Sequence, residues 1–183
     1  VSWARMCIRD RSMIDTTATS QPSGESVNPN GAKFAALRNK NSDFIGWLSI
    51  DGTELDFPVM YAPNNKDFYL RHDFDKSYSI YGVPYLDENT TLGANAESDN
   101  LVIYGHNMKD GSMFGGLKKY RDPSFYEEHG GMITLCLPGE TRMYQIFSVH
   151  IAEADDEGVY TIGFAHDEGF GGFLEVLKQR SIY

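Results

Sequence analysis

His106 closes the apolar run Leu101-Val102-Ile103-Tyr104-Gly105-His106 and is followed by Asn107-Met108. A strand that delivers a glycine and then an imidazole at its mouth puts a titratable ring where a rigid scaffold meets a loop. An imidazole there could serve as general acid or base, as the imidazolium partner of a thiolate, or as a metal ligand. The plainer alternative is a strand-end histidine hydrogen-bonded to backbone. No HExxH or paired-histidine spacing supports a metal, so no metal centre and no cofactor is expected. His72, His129, His150 and His166 stand in unrelated contexts and read as surface or satisfied histidines. Cys136 lies in the apolar segment Ile133-Thr134-Leu135-Cys136-Leu137, and a free cysteine in such a place is usually buried and inert. Gly169–Gly172 reads as a hinge or turn, and nothing resembles a phosphate-binding loop.

The elements that must position His106 are short and mostly strands. Phe44–Ile50 reads as a strand ended by the turn pair Asp51-Gly52, and Leu55–Met60 follows it. Pro58 confines that second strand to an edge, a start or a bulge. Asn64-Asn65 opens a turn ahead of one helical turn at Phe68-Tyr69-Leu70. Tyr81–Leu86 and Asn100–Gly105 read as strands flanking the polar loop Asp87–Asp99. Ser112–Arg121 and Pro123–Glu128 read as short helices, the second with Asp122 as its cap and Pro123 at its first position. Met132–Leu137 and Met143–Ile151 form a hairpin around Pro138-Gly139. Short strands at near-regular spacing point to a sandwich or closed barrel rather than alternating β/α units.

The flanks are of a different character. Residues 1–12 carry Arg5, Arg9, Arg11, Asp10 and Cys7 without helical or strand period. They resemble translated adapter sequence, a processing scar outside the fold, with a genuine basic stub as the rival reading. Residues 13–31 are rich in Ser, Thr, Pro, Asn and Gly and read as a flexible linker. Order is expected to start with a helix at Ala32–Lys40, whose Phe34 and Leu37 share a face. A last helix carries Phe173, Leu174 and Leu177 on one face, with no closing element before Tyr183, so a fragment is expected.

Across 183 residues, 41% hydrophobic and 13% aromatic content supplies one core and excludes wholesale disorder. A net charge of −10 repels phosphate backbones and anionic lipid, so no nucleic-acid partner is expected. No run approaches the roughly 18 apolar residues of a bilayer span.

Ten colinear blocks carry a family resemblance. Asn41-Ser42-Asp43-Phe44-Ile45-Gly46-Trp47-Leu48, Asp51-Gly52-Thr53 and Asp56-Phe57-Pro58-Val59-Met60 are similar to the opening of class B sortases. The likeness continues through Phe68-Tyr69-Leu70, Asp73-Phe74, Tyr104-Gly105-His106-Asn107-Met108 and Met113-Phe114-Gly115. Leu117-Lys118-Lys119-Tyr120, Phe125-Tyr126 and Tyr144-Gln145-Ile146-Phe147 complete it, over about residues 33–150 and into the last helix.

The resemblance implies a mainly β chain, a sortase-type eight-stranded β-barrel with short helices, over residues 32–183. It implies a cysteine transpeptidase on the outer face of a Gram-positive cell membrane. The implied partners are the sorting-signal peptide of a surface protein and the amine of a cell-wall precursor or pilin. His106 matches the family's catalytic histidine, Tyr104 a tyrosine lining the same pocket, and Asn65 (or Asn64) an active-site asparagine. The family's cysteine and arginine sit on later strands, so the closing strands and both residues are expected beyond Tyr183. Cys136 falls where the family has an ordinary structural strand. Glu153, Asp155 and Asp156 could bind Ca²⁺ as in another sortase class, though no EF-hand pattern is present. The rival readings are a non-catalytic sortase-shaped binding module and an unrelated β-barrel hydrolase that uses His106 differently.

Overall fold

The computed structural model describes residues 3–8, 31–92, 97–152, 160–164 and 167–182. Its strands are β1 (Trp3–Ile8), β2 (Phe44–Ile50), β3 (Asp56–Met60), β4 (Tyr85–Leu86), β5 (Leu101–His106), β6 (Met132–Cys136) and β7 (Thr141–Gln145). Among the described residues, the α-helices α1 (Gly31–Lys40), α2 (Pro123–His129) and α3 (Asp167–Gln179) accompany 3-10 helices at Phe68–Leu70 and Phe114–Arg121. The strands form one curled sheet in the order β1-β5-β4-β3-β2-β6-β7. All neighbours are antiparallel except β3 and β4, which meet in parallel at Met60 and Tyr85. The mainly β, barrel-type expectation holds, and in this structure the sheet is open at β1 and β7.

Side-chain alternation along β5 separates two cores. Leu101 and Ile103 enter one cluster with Leu48, Ile50, Val59 and Leu135, all nearly solvent-free. Tyr104 faces the other way, against the cluster of Phe34, Phe44, Met60, Tyr69 and Tyr85. Phe34 reaches that second core from α1, as its spacing with Leu37 predicts. A third cluster, Phe170, Phe173 and Leu177, packs under α3 against Tyr160 and Phe164.

Several expected elements have different extents. Tyr81–Leu86 contributes only the two residues of β4, because Gly82 takes a left-handed φ of 59° and Pro84 has no N–H for a ladder. A Cβ at Gly82 would lie 2.4 Å from the Tyr69 carbonyl oxygen, and Val83 N–H bonds to that same carbonyl at 3.0 Å. The helix expected over Ser112–Arg121 is a 3-10 helix confined to Phe114–Arg121, with Gly115 and Gly116 lowering its α propensity. The second hairpin strand starts at Thr141 and ends at Gln145. Beyond it Val149 takes its backbone partner from Ile182, past the end of α3, at 2.7 Å. Asp122 caps α2 as expected, accepting from Ser124 N–H at 2.9 Å. Pro58 sits opposite Trp47, in the part of β3 that has β2 alone as its neighbour.

Residues 1–12 are not wholly outside the fold. Trp3–Ile8 pairs with Leu101–His106 along its whole length, Trp3 opposite His106 and Ile8 opposite Leu101. A ladder is made by backbone groups, so a segment without side-chain alternation still satisfies a strand edge. Of the expected linker 13–31, residues 13–30 lie outside the described residues and Gly31 opens α1; Glu153, Asp155 and Asp156 also lie outside them. Among the described residues, no helix is long and apolar enough to cross a membrane.

Gly105 lies against the Phe114 ring, and a Cβ there would come within 2.7 Å of it. Gly105→Ala is therefore expected to cost about 1–3 kcal/mol by overpacking, read as a lowered denaturant midpoint with unchanged slope.

Candidate active site

Tyr104 and His106 are two apart on β5, so both project from the same face of the sheet, about 7 Å apart along the strand. His106 is the last strand residue rather than the first of the loop, and only 4% of its surface is exposed. Burial holds its pKa below the ordinary 6.5, and the positive charge of Arg71 pushes in the same direction. The Tyr81 backbone, accepting from the ring, opposes both. The imidazole is thus neutral at pH 7, the form that accepts a proton.

Arg71 and Tyr81 reach the ring from the two ends of one loop. The 3-10 helix Phe68–Leu70 ends at Arg71, whose carbonyl accepts from Ser79 N–H at 2.8 Å, and His72 pairs with Tyr78 across the loop. His72 stacks flat on Phe68 with ring centroids 3.9 Å apart, which makes it a packing residue, as its context suggests.

Around Tyr104 lies a second layer of polar order. Its hydroxyl donates to Asp87 Oδ2, and its ring tilts against that of Tyr85 at 5.2 Å. Tyr85 in turn donates to Asp67 Oδ1 at 2.8 Å. Asn65 is exposed in the turn that leads to Asp67, with its N–H on the Ala62 carbonyl at 3.0 Å. It lines a shallow surface hollow with Lys66, Asp67, Tyr85 and Glu88. Tyr104 and His106 share a strand face, while Asn65 stands in a separate turn and shares only the lining of that hollow with Tyr85. Asn64, the alternative match, is also exposed in that turn.

Cys136 lies on a different strand, although it packs against the same apolar cluster as Tyr104. It lies on β6, half-buried opposite Trp47, with Sγ accepting from Thr141 Oγ1 at 3.7 Å. Strands β4, β3 and β2 stand between its strand and β5, about 19 Å along the sheet at ~4.8 Å per strand. Among the described residues, no group of three or more His, Cys, Asp or Glu could hold a metal ion.

The sequence reading missed Arg71 and Asp87. Both stand in loops, and their approach to β5 depends on the path of the chain between strands rather than on local periodicity. The one available signal was Asp87 directly after an apolar strand, a position usual for turn initiation.

The sortase domain family model matches residues 48–169. The chain is 34% identical to sortase B of Listeria monocytogenes over 175 residues, covering 92% of this chain and 68% of that protein. It is 31% identical to sortase B of Staphylococcus aureus over 150 residues, covering 82% of this chain and 59% of that one. Among solved structures, a sortase B–substrate complex of S. aureus superposes with a TM-score of 0.76 at 28% identity, over 84% of this chain and 68% of that chain. Sortase B of Clostridium perfringens gives 0.75 at 32% identity, over 81% and 79%.

The burial and charge acting on His106 give a signed expectation. The folded pKa is depressed, so the contribution to stability is complete above about pH 6.5 and is lost as pH falls below that towards the folded value. A ¹H–¹³C titration should place the ring midpoint below 6.5, and Arg71→Gln should raise it; an unmoved midpoint would show that the guanidinium charge does not reach the ring.

Proposed function

Because the chain belongs to the sortase family, on its sortase B branch, we propose that it supplies the histidine side of a cysteine transpeptidase acting on sorting-signal peptides. The observation that carries this reading is the buried imidazole of His106, set on one strand face with Tyr104 in a family whose members act by a cysteine. Its setting is the outer surface of a Gram-positive cell membrane, where the joined partners are a surface protein and the amine of a cell-wall precursor or pilin.

The chemistry divides one amide exchange into two acyl transfers. A thiolate adds to the scissile carbonyl, the C–N bond breaks, and a thioester forms. The departing amine needs a proton, which His106 gives as imidazolium. The incoming amine then attacks the thioester and yields its proton to the same ring, a new amide forms, and the thiolate is released. An arginine at the developing oxyanion contributes charge-assisted hydrogen bonds. We place the nucleophile and that arginine in sequence following Tyr183. This placement rests on the family resemblance, in which Cys136 falls on an ordinary structural strand; the chain spans 68% and 59% of its two curated relatives.

The depressed pKa of His106 fits the division of labour. Without a neighbouring anion the ring stays neutral, and a thiolate brought within about 4–6 Å favours its charged form. The pair therefore assembles as thiolate and imidazolium only when both halves of the site are present.

In the full-length protein, His106→Ala is expected to lower peptide transfer about 10²–10⁴-fold while leaving sorting-peptide binding largely intact. Turnover is followed by mass spectrometry of the thioester and of the joined product. Full turnover in that variant would overturn the role given to His106, and peptide binding without thioester in the wild type would favour a non-catalytic binding module.

A further inference from the structure

Asp87 is a carboxylate with 7% exposure immediately after β4. Burying such a group is costly unless its lone pairs are filled. Oδ1 accepts from Asn89 N–H at 2.8 Å and from Asn89 Nδ2 at 3.1 Å, and Oδ2 accepts from the Tyr104 hydroxyl. The Asp87 backbone N–H bonds to the Val102 carbonyl at 2.9 Å, which ties the carboxylate to β5, the strand that carries Tyr104 and His106.

We propose that Asp87 is a positioning residue, whose carboxylate accepts the hydrogen bond of the Tyr104 phenol and fixes that hydroxyl on the strand face of His106. The inference rests on the transpeptidase reading and deepens it. A phenol has one proton. With that hydrogen committed to Asp87, the Tyr104 oxygen meets any further partner as an acceptor. The partner must then be a hydrogen-bond donor, and both substrates of a transpeptidase carry one: the amide N–H of the sorting peptide and the incoming amine. The adjacent pair Tyr85 and Asp67 repeats the arrangement one strand over, and the two rings support each other at 5.2 Å.

A purely structural role for Asp87 is separable from this one. Its turn, in which Thr90 N–H bonds to the Asp87 carbonyl at 3.0 Å, is a type that asparagine also supports. Asp87→Asn keeps the turn and replaces a charged acceptor by a neutral amide.

The test is a double-mutant cycle in the full-length protein with Asp87→Asn, Tyr104→Phe and the pair, measuring KM for peptide and for amine separately from kcat. Each single variant is expected to raise KM for one substrate about tenfold, and whichever KM rises identifies the donor that Tyr104 receives. The pair should be no more than about twofold worse than Tyr104→Phe alone. Effects that multiply, or an Asp87→Asn enzyme with wild-type constants, would overturn the inference. Should Asp87→Asn fail to fold, Asp87→Ser, which keeps the turn, replaces it in the same cycle. A wild-type protein that transfers no peptide would instead overturn the transpeptidase reading beneath it.

Discussion

The period of two along β5 is the constraint from which the rest follows. Six residues must bury Leu101 and Ile103 in one core while presenting Tyr104 and His106 on the opposite face. A slip of one residue would exchange the faces and send the imidazole into the aliphatic cluster. Register is therefore locked by packing on one side of the strand, and the site on the other side inherits that rigidity. Gly105 belongs to the same requirement, since the Phe114 ring occupies the space a side chain would need.

Electrostatics then act on a ring whose place is already fixed. Desolvation and Arg71 both disfavour the imidazolium, and a single backbone acceptor at Tyr81 works the other way. The ring therefore favours its neutral form, and any anion brought close to it would favour the charged form. Two phenols on neighbouring strands, Tyr104 and Tyr85, are each held by a carboxylate from a loop, Asp87 and Asp67.

Much of this was legible in the sequence, for identifiable reasons. Phe44–Ile50 shows alternating apolar residues and ends on Asp51-Gly52, so β2 emerges with the expected bounds. Asp122-Pro123 fixes the start of α2 by local hydrogen bonding alone. His106 stands out in the sequence because it ends an unbroken apolar run, and Tyr104 because its block resembles class B sortases. What could not be read depends on distant chain. β4 shrinks to two residues because the backbone before it bonds to the 3-10 segment at Tyr69. The strand Trp3–Ile8 is held by backbone pairing that leaves no side-chain signature. Arg71 and Asp87 acquire their meaning from loops that fold back on β5, and single residues in loops carry no period.

Gly82 gives this architecture an unexpected lever. Its left-handed backbone lets the chain pass within touching distance of the Tyr69 and Leu70 carbonyls, and it ends the same excursion that begins at Arg71 and includes Tyr81. Two of the groups that govern how tightly the imidazole holds its proton are therefore suspended from a hinge that tolerates no methyl group. Acid–base character in this molecule is in part a matter of steric clearance at a residue that has no side chain and never meets the ring.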